Sequence, residues 1–217
     1  MASTNRPVAR DSLTIAPAGA GWMALLRPAL AAVALCALLL ALAPSGADAA
    51  RAKVSGHLPN CHVAVAAASA APRTTPTIRL ARAAVCLINT RRTARGLPRL
   101  RINNRLSKAA KWHTHDMVRR SYFGHVSRRG RDVVDRLYGA RYLGGRFAWT
   151  VGENLAWGSG KLGTPRQIVR SWMHSAGHRR NMLDARFREI GIGVIAAGPV
   201  RTDLPAATYT TTFGVRR

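Results

Sequence analysis

The hydrophobic pattern of this chain changes its period once, and this change limits the folds that the chain can adopt. Between residues 78 and 177, apolar residues recur every three to four positions, as they do along one face of a helix. Beyond residue 189 they alternate with glycines, and residues 209–215 are mostly β-branched and aromatic, which is typical of strands. Helices that precede strands predict an α+β fold, in which helices pack on a sheet.

Sequence signals at the helix ends place the first helices more closely. A helix near residues 78–95 ends before Gly96, and Asn103 or Asn104 caps a second helix. A short third helix covers residues 132–138.

The clearest helix start in the chain is Thr164-Pro165-Arg166-Gln167. It offers a capping hydroxyl, proline at the first helical position and glutamine three residues after the cap. This fourth helix breaks near Gly177. Two strands follow, near residues 190–194 and 209–215, and residues 198–205 separate them. We therefore expect an antiparallel pair with a long connection.

The first 49 residues have the pattern of a secretory signal peptide. Basic residues precede an unbroken apolar run from Pro28 to Ala43, and Ala47-Asp48-Ala49 follows as a cleavage site. This run of 16 residues is shorter than the roughly 18–20 residues that a membrane-spanning helix needs. We predict cleavage after Ala49 and a secreted or cell-envelope location. The alternative is an uncleaved leader, which would be the only membrane attachment of the chain.

The remainder of the chain divides into a linker and one domain. Residues 50–77 are rich in alanine, proline, serine and threonine, whereas residues 78–217 carry the helix and strand signals. Cleavage would remove Cys36 and leave Cys61 and Cys86. Two cysteines in an exported chain predict one disulfide between them, and the alternative is two unpaired thiols.

The folded domain is strongly basic. The chain has 34 lysines and arginines against 9 acidic residues, and residues 83–217 alone carry 26 basic and 7 acidic residues. With 47% hydrophobic residues the chain can bury a core, so the charge does not belong to a disordered tail. Zinc-finger spacing and basic heptads are missing, so we expect no specific nucleic-acid partner. An anionic envelope polymer, a lipid or a small ligand suits an exported cationic domain better.

Three side chains stand where chemistry is plausible, beside glycines that suggest loops. His125 follows Tyr122-Phe123-Gly124, Glu153 lies in Gly152-Glu153-Asn154, and His178 follows Ser175-Ala176-Gly177. Two imidazoles and a carboxylate could hold a divalent cation, Zn or Mg, in an open site with three protein ligands. Equally, the glutamate could orient one histidine as a general base. The sequence has no H-E-x-x-H metal-binding motif, so both alternatives stay open.

The remaining histidines of the domain carry less weight. His113, His115 and His174 fall on predicted helices and are interpreted as helix-face or surface residues.

Several short motifs in one order carry a family resemblance. They are Leu87-Ile88-Asn89, His113 to Met117, Tyr122-Phe123-Gly124-His125, Gly152-Glu153-Asn154, Trp172-Met173-His174-Ser175, Gly177-His178-Arg179 and Glu189-Ile190-Gly191-Ile192-Gly193. In this order and spacing the chain resembles the CAP superfamily (cysteine-rich secretory proteins, antigen 5 and pathogenesis-related proteins) in its compact bacterial form. The resemblance covers about residues 82–215.

This resemblance implies an α-β-α sandwich with a central antiparallel sheet between helical layers. It also implies a cleft with two histidines and two acidic residues. The histidines match His125 and His178, and the first acid matches Glu153, whereas Ser175 stands where the second acid is usual. The implied site is a divalent cation bound through the histidines, with Glu153 acting directly or through water.

The sequence supports two functions for this cleft. The first is an exported, non-enzymatic module that binds a divalent cation and an anionic or lipidic ligand at the cell envelope. Its ligand cleft would include Ser175, Asn154 and Arg179. The alternative is a secreted hydrolase of protease or esterase type, with Ser127 or Ser175 as the nucleophile and His125 or His178 as the base. A catalytic set is not assigned, and an enzyme is the less favoured interpretation.

Basic residues follow both cleft histidines. If the histidines converge, these arginines favour phosphate or carboxylate groups at the cleft mouth, and the alternative is that they point to solvent. They are Arg128, Arg129, Arg131, Arg179 and Arg180.

Overall fold

A mixed sheet organises the fold in the computed structural model, which describes residues 8–14, 61–145 and 148–217. All of these residues belong to one structural unit. The predicted cleavage site after Ala49, the apolar run 28–43 and the first part of the predicted linker lie outside the described residues.

Six helices and five strands are present in the described parts of the chain. The helices are α1 (Cys61–Ala66), α2 (Thr77–Thr93), α3 (Asn104–Arg119), α4 (Val133–Gly139), α5 (Pro165–His174) and α6 (Ala176–Leu183). The strands are β1 (Val8–Thr14), β2 (Arg101–Ile102), β3 (Trp149–Ser159), β4 (Glu189–Ile195) and β5 (Ala206–Arg216).

The strands are arranged in the order β1-β3-β5-β4-β2. The three central strands are antiparallel, and β5 is paired on both sides: Thr212 lies opposite Glu153 of β3 and Gly191 of β4. The edge strands β1 and β2 run parallel to β3 and β4. The α+β class and the antiparallel β4–β5 pair are therefore confirmed, and the parallel edges make the whole sheet mixed.

Helices cover both faces of this sheet. On one face, α2, α5 and α6 bury a core against β4 and β5 that includes Leu80, Trp172 and Phe213. On the other face, α3 and α4 enclose a smaller core around Leu106 and Leu137. The sheet is thus the middle layer of an α-β-α sandwich, as the family resemblance implied.

Helix α3 approaches the sheet closely because the middle of β4 has glycines, Gly191 and Gly193, on that face. Ile190, Ile192 and Val194 point into the larger core. The alternating glycines face α3, and a Cβ atom added at Gly193 would lie 2.6 Å from the Ala110 backbone. The alternation of glycines predicted a strand. In the structure these glycines let α3 pack directly against the backbone of β4.

Side chains cap the starts of α3 and α4, and the cap of α3 is the predicted one. The Asn103 side chain accepts hydrogen bonds from the backbone N–H groups of Arg105 and Leu106. Asp132 forms a capping box with Asp135 at the start of α4.

Helix α5 starts where it was predicted to start, but the predicted hydroxyl group does not cap it. Thr164 precedes Pro165 at the first helical position, yet its side chain does not cap the helix. The hydroxyl instead donates to the Lys161 carbonyl, 2.8 Å away. The preceding 3-10 turn, Gly160–Gly163, presents that carbonyl as a competing acceptor.

Two elements that carry the candidate residues differ from the expected loops. Glu153 lies in the middle of β3 and is fully buried. A strand covered by helices on both faces shows no alternation of polar and apolar residues, so its sequence does not reveal it. His178 lies in the first turn of α6, which begins only two residues after α5 ends.

The predicted disulfide joins Cys61 of α1 to Cys86 of α2, with 5.6 Å between their Cα atoms. This bond attaches the segment before α2 to the domain. Helix α1 lies within the predicted linker and β1 within the predicted leader. The domain boundaries and the cleavage site themselves remain predictions.

Candidate functional site

A buried ion pair lies at the centre of the candidate site. Strand β3 supplies Glu153, and α4 supplies Arg136, which is 7% exposed. One terminal nitrogen of the Arg136 guanidinium donates to both carboxylate oxygens, at 3.0 and 2.9 Å. The guanidinium also donates to the backbone carbonyls of Arg131 and His125. Arg136 therefore fixes both the glutamate and the loop that carries His125.

The carboxylate of Glu153 also orients His125. Nδ1 of His125 lies 2.8 Å from Oε1 of Glu153. Because the ionised carboxylate can only accept, Nδ1 carries the proton, and in the neutral ring Nε2 presents a lone pair. Among the described residues Nε2 has no hydrogen-bond partner, and the His125 side chain is 11% exposed.

A second histidine, His113, packs against the same carboxylate. Its Nε2 donates to the Gly124 carbonyl at 2.9 Å and lies 4.0 Å from Oε1 of Glu153. Burial lowers the pKa of His113 to about 4, so the ring is neutral at pH 7. Burial opposes ionisation of Glu153, but Arg136 and the hydrogen bond from His125 outweigh it and lower the pKa of Glu153 to about 2.

An amide network connects α6 to β3. Asn154 of β3 donates to the His178 carbonyl at 3.0 Å. Asn181 of α6 donates to the Glu153 carbonyl at 3.1 Å and to the Asn154 side chain at 2.9 Å. Beside this network, Nδ1 of His178 and Oγ of Ser175 share a hydrogen bond of 2.7 Å. The position of His178 is therefore set relative to the strand that carries Glu153.

The structure brings one pair of the predicted residues into contact, His125 and Glu153. His178 is bonded through its backbone carbonyl to Asn154, the residue that follows Glu153 in β3. Ser175 links α5 to α6 and contacts His178, whereas Arg179 is exposed and donates to the Met173 carbonyl.

The donor set fits a metal ion only in part. Within the described ranges, no group of three or more histidine, cysteine or acidic side chains is placed to hold a metal ion. Both oxygens of Glu153 accept hydrogen bonds from Arg136. The positive charge of Arg136 would repel a metal cation bound to this carboxylate. Direct binding of a metal ion by Glu153 is therefore disfavoured.

The arginines that follow the cleft histidines are all exposed. The guanidinium of Arg128 lies 5.8 Å from the centre of the Tyr122 ring and donates to the Ser121 carbonyl. Tyr122 in turn donates to Asp116 at 2.6 Å. Arg128 is therefore held near the His125 loop by its own contacts.

Sequence reasoning missed Arg136, His113 and Asn181. His113 was interpreted as a helix-face residue, but the structure buries it against Glu153. A signal was present for Arg136: it lies among Val133, Val134 and Leu137, on the apolar side of a short helix. An arginine in that position needs a buried acid, and Glu153 lies in the strand that follows.

The three-layer fold and the histidine–glutamate cluster are those expected of a CAP-type domain. The sequence profile of the CAP family, described as the cysteine-rich secretory protein family, matches residues 85–211. The chain therefore belongs to this family.

Two proteins of Bacillus subtilis (strain 168) are similar in sequence. YkwD is 36% identical over 118 residues, which are 54% of this chain and 42% of YkwD. The membrane protein YlbC is 32% identical over 108 residues, which are 50% of this chain and 29% of YlbC. The similarity thus spans less than half the length of either relative.

Two solved structures are similar to this chain in structure. An outer surface protein from Borrelia burgdorferi has a TM-score of 0.50 at 21% identity, covering 61% of this chain and 90% of that one. An extracellular protein with an SCP domain from Bacillus anthracis str. Ames has a TM-score of 0.48 at 24% identity, covering 64% of this chain and 43% of that one.

Across the parts of the chain described above, no helix has the length and apolar character to cross a membrane.

Proposed function

We propose that this chain is an extracytoplasmic CAP domain that binds an anionic or lipidic ligand, with His125 as the residue that contacts the ligand. The leader pattern of the first 49 residues supports export. The fold shared with an outer surface protein is in keeping with this location.

The observation that carries the proposal is the orientation of His125 by a buried ion pair. A buried salt bridge is weak evidence for stability, because desolvation of both charges offsets their attraction. Here the pair holds one imidazole with its Nδ1 bound and its Nε2 without a hydrogen-bond partner among the described residues. Such rigid support of one side chain is what a binding site requires.

The charge around the cleft supports an anionic group on the ligand. Exposed arginines follow both His125 and His178, and Arg128 is anchored beside the loop of His125. Arginine pairs with phosphate and carboxylate groups through two parallel hydrogen bonds. An anionic lipid headgroup or a phosphate polymer of the envelope offers these groups.

A binding assay on lipid vesicles tests the proposal. Vesicles of phosphatidylglycerol should retain the protein in co-sedimentation at 150 mM salt, whereas vesicles of phosphatidylcholine should not. His125→Ala should weaken retention at least tenfold, while His174→Ala, an exposed histidine of α5, should leave it unchanged. Retention that is equal in the parent and in His125→Ala would contradict the proposal and indicate binding by net charge alone.

The proposed ligand chemistry includes a divalent cation bound by the imidazoles of His125 and His178. Glu153 would then support His125 from behind, as carboxylates commonly support metal-bound histidines. Calorimetric titration with zinc chloride and magnesium chloride tests this part separately. We expect heat of binding with zinc that is lost in His125→Ala and in His178→Ala, and identical heats in all three proteins would refute a shared site.

The hydrolase remains the second candidate because of one contact. Ser175 and His178 share a hydrogen bond of 2.7 Å, the relation of a nucleophile to its base. The same contact also suits a serine at the start of α6. Turnover of a p-nitrophenyl ester or a casein substrate that Ser175→Ala abolishes would establish the hydrolase, and turnover that Ser175→Ala retains would exclude Ser175 as the nucleophile.

A further inference from the structure

A separate cavity lies on the α3–α4 side of the domain. It is formed by α3, α4 and the loop that joins them, with a volume of about 330 Å³. This volume is at the lower end of the roughly 300–1,000 Å³ of small-molecule sites. Its lining includes Trp112, His115 and Asp135, and it shares His113 and Arg136 with the cluster around Glu153. His125 and His178 do not line it.

Two buried polar atoms on the shared residues lack hydrogen-bond partners within the described part of the chain. They are Nδ1 of His113, a residue 1% exposed, and Nε of Arg136, a residue 7% exposed. Because Nε2 of His113 donates to Gly124, Nδ1 is an acceptor, whereas Nε of Arg136 is a donor. Buried polar groups nearly always have partners, so each of these two atoms indicates a missing partner. A hydroxyl group can donate or accept, so a ligand that carries hydroxyl groups has the chemistry to partner either atom.

Trp112 gives the cavity an exposed aromatic surface. Its side chain is 46% exposed on α3, which is unusual for so large an apolar group. Gly139 of α4 lies beside the ring, where even a Cβ atom would come within 3.7 Å of it. The ammonium group of Lys108 lies 4.8 Å from the ring centre, so a cation already occupies one position over the ring.

The remaining lining selects a neutral ligand. Among the charged lining residues, Arg136 is already paired with Glu153, and Asp116 is paired with Arg120. Arg131 and Asp135 then balance each other, in a domain that elsewhere has a large excess of arginine. Among the described residues, the lining contains no aliphatic side chain that would suit a lipid chain. A charge-balanced cavity with one aromatic plane, hydrogen-bond donors and acceptors matches a sugar ring, which has apolar C–H faces and hydroxyl edges.

We propose that this cavity binds a neutral carbohydrate unit stacked on Trp112, a ligand and site distinct from those of the proposed cleft function. The test is titration of the protein with chitotriose and maltotriose, followed by tryptophan fluorescence and by calorimetry. At least one of the two sugars should bind saturably. Trp112→Ala should weaken its affinity at least tenfold and His115→Ala several-fold, because both side chains line the cavity.

Two variants make the result specific. Tyr138→Ala removes an exposed aromatic of α4 that does not line the cavity, and should bind sugar like the parent. His125→Ala should also bind sugar like the parent, even if it abolishes retention on vesicles. The absence of saturable binding to both sugars would overturn the proposal and leave water as the partner of His113 and Arg136. Equal affinity in Trp112→Ala, or equal loss in Tyr138→Ala, would overturn it as well.

Discussion

Arg136 is the countercharge on which the buried carboxylate of Glu153 depends. Replacement by methionine keeps much of the side-chain volume but leaves the carboxylate without its cation. Breaking a buried pair in this way costs about 3–5 kcal/mol, because an uncompensated charge remains inside the protein. We expect Arg136→Met to lower the free energy of unfolding in urea by that amount. The double variant Glu153→Gln with Arg136→Met should recover part of the loss, since neither buried charge remains.

The matched control for this change is Arg129→Met, which removes an exposed arginine of the His125 loop. Surface substitutions usually change stability by less than about 0.5 kcal/mol. If Arg136→Met and Arg129→Met have the same free energy of unfolding, the buried carboxylate of Glu153 does not need Arg136 as its countercharge.

His113 makes the domain sensitive to acid. Its pKa is about 4 in the folded protein, below the 6.5 of a free histidine, so the unfolded chain binds the additional proton between these values. Stability is therefore fully present above pH 6.5 and declines as the pH falls towards 4, by about 3 kcal/mol for a gap of this size. The pKa of Glu153 near 2 adds a further decline between pH 4.5 and 2.

Urea unfolding at a series of pH values measures this decline. We expect His113→Gln to flatten the profile between pH 6.5 and 4 and to leave the steeper region below it. His115→Gln, a change of an exposed histidine two residues away on the same helix, should keep the profile of the parent. A parent profile that is flat between pH 6.5 and 4 would contradict the burial of a neutral His113.

Side chains that meet across elements were the hardest part of the site to predict. Glu153 and His125 stood out because each lies in a short motif of its own. Arg136 and His113 join them only after α3 and α4 have packed on β3, and nothing in the local sequence of His113 distinguishes it from the exposed His115. Contacts between residues far apart in sequence are set by tertiary packing, which helix and strand patterns do not specify.

At the scale of elements, the contact between α3 and β4 depends on glycine. Gly193→Ala should destabilise the protein by about 2–3 kcal/mol or more, because the added methyl group meets the backbone of α3 and not a side chain that could move. Gly124→Ala is the control, since a Cβ at Gly124 has no atom within 4 Å among the described residues. Thermal unfolding of both variants checks this, and equal midpoints would show that α3 can shift without cost.

Elements with local end signals were predictable, and those without them were not. Asn103 identified the start of α3 because capping is a short-range interaction. Strand β3 escaped prediction because nearly all of its residues are buried and it contains two glycines. Helix α6 escaped because it follows α5 almost without a break and begins with glycine at its second position.

At the scale of the whole molecule, export is the prediction with the simplest test. The predicted leader contains β1, which among the described strands pairs only with β3. The described buried residues of both cores lie between Leu80 and Phe213. A chain that begins at Ala50 should therefore keep both cores and unfold cooperatively. We expect N-terminal sequencing of the exported protein to begin at Ala50, and a membrane-bound product that retains residues 38–40 would contradict cleavage.

The central position of β5 has a consequence for the proposed export of the chain. β5 is the last strand along the described chain, yet it supplies hydrogen bonds to both β3 and β4. The sheet therefore stays incomplete until residues 206–216 have been synthesised, and pairings between distant residues form slowly. For the export proposed above, late completion of the sheet would favour passage of the chain through a membrane channel before it has folded.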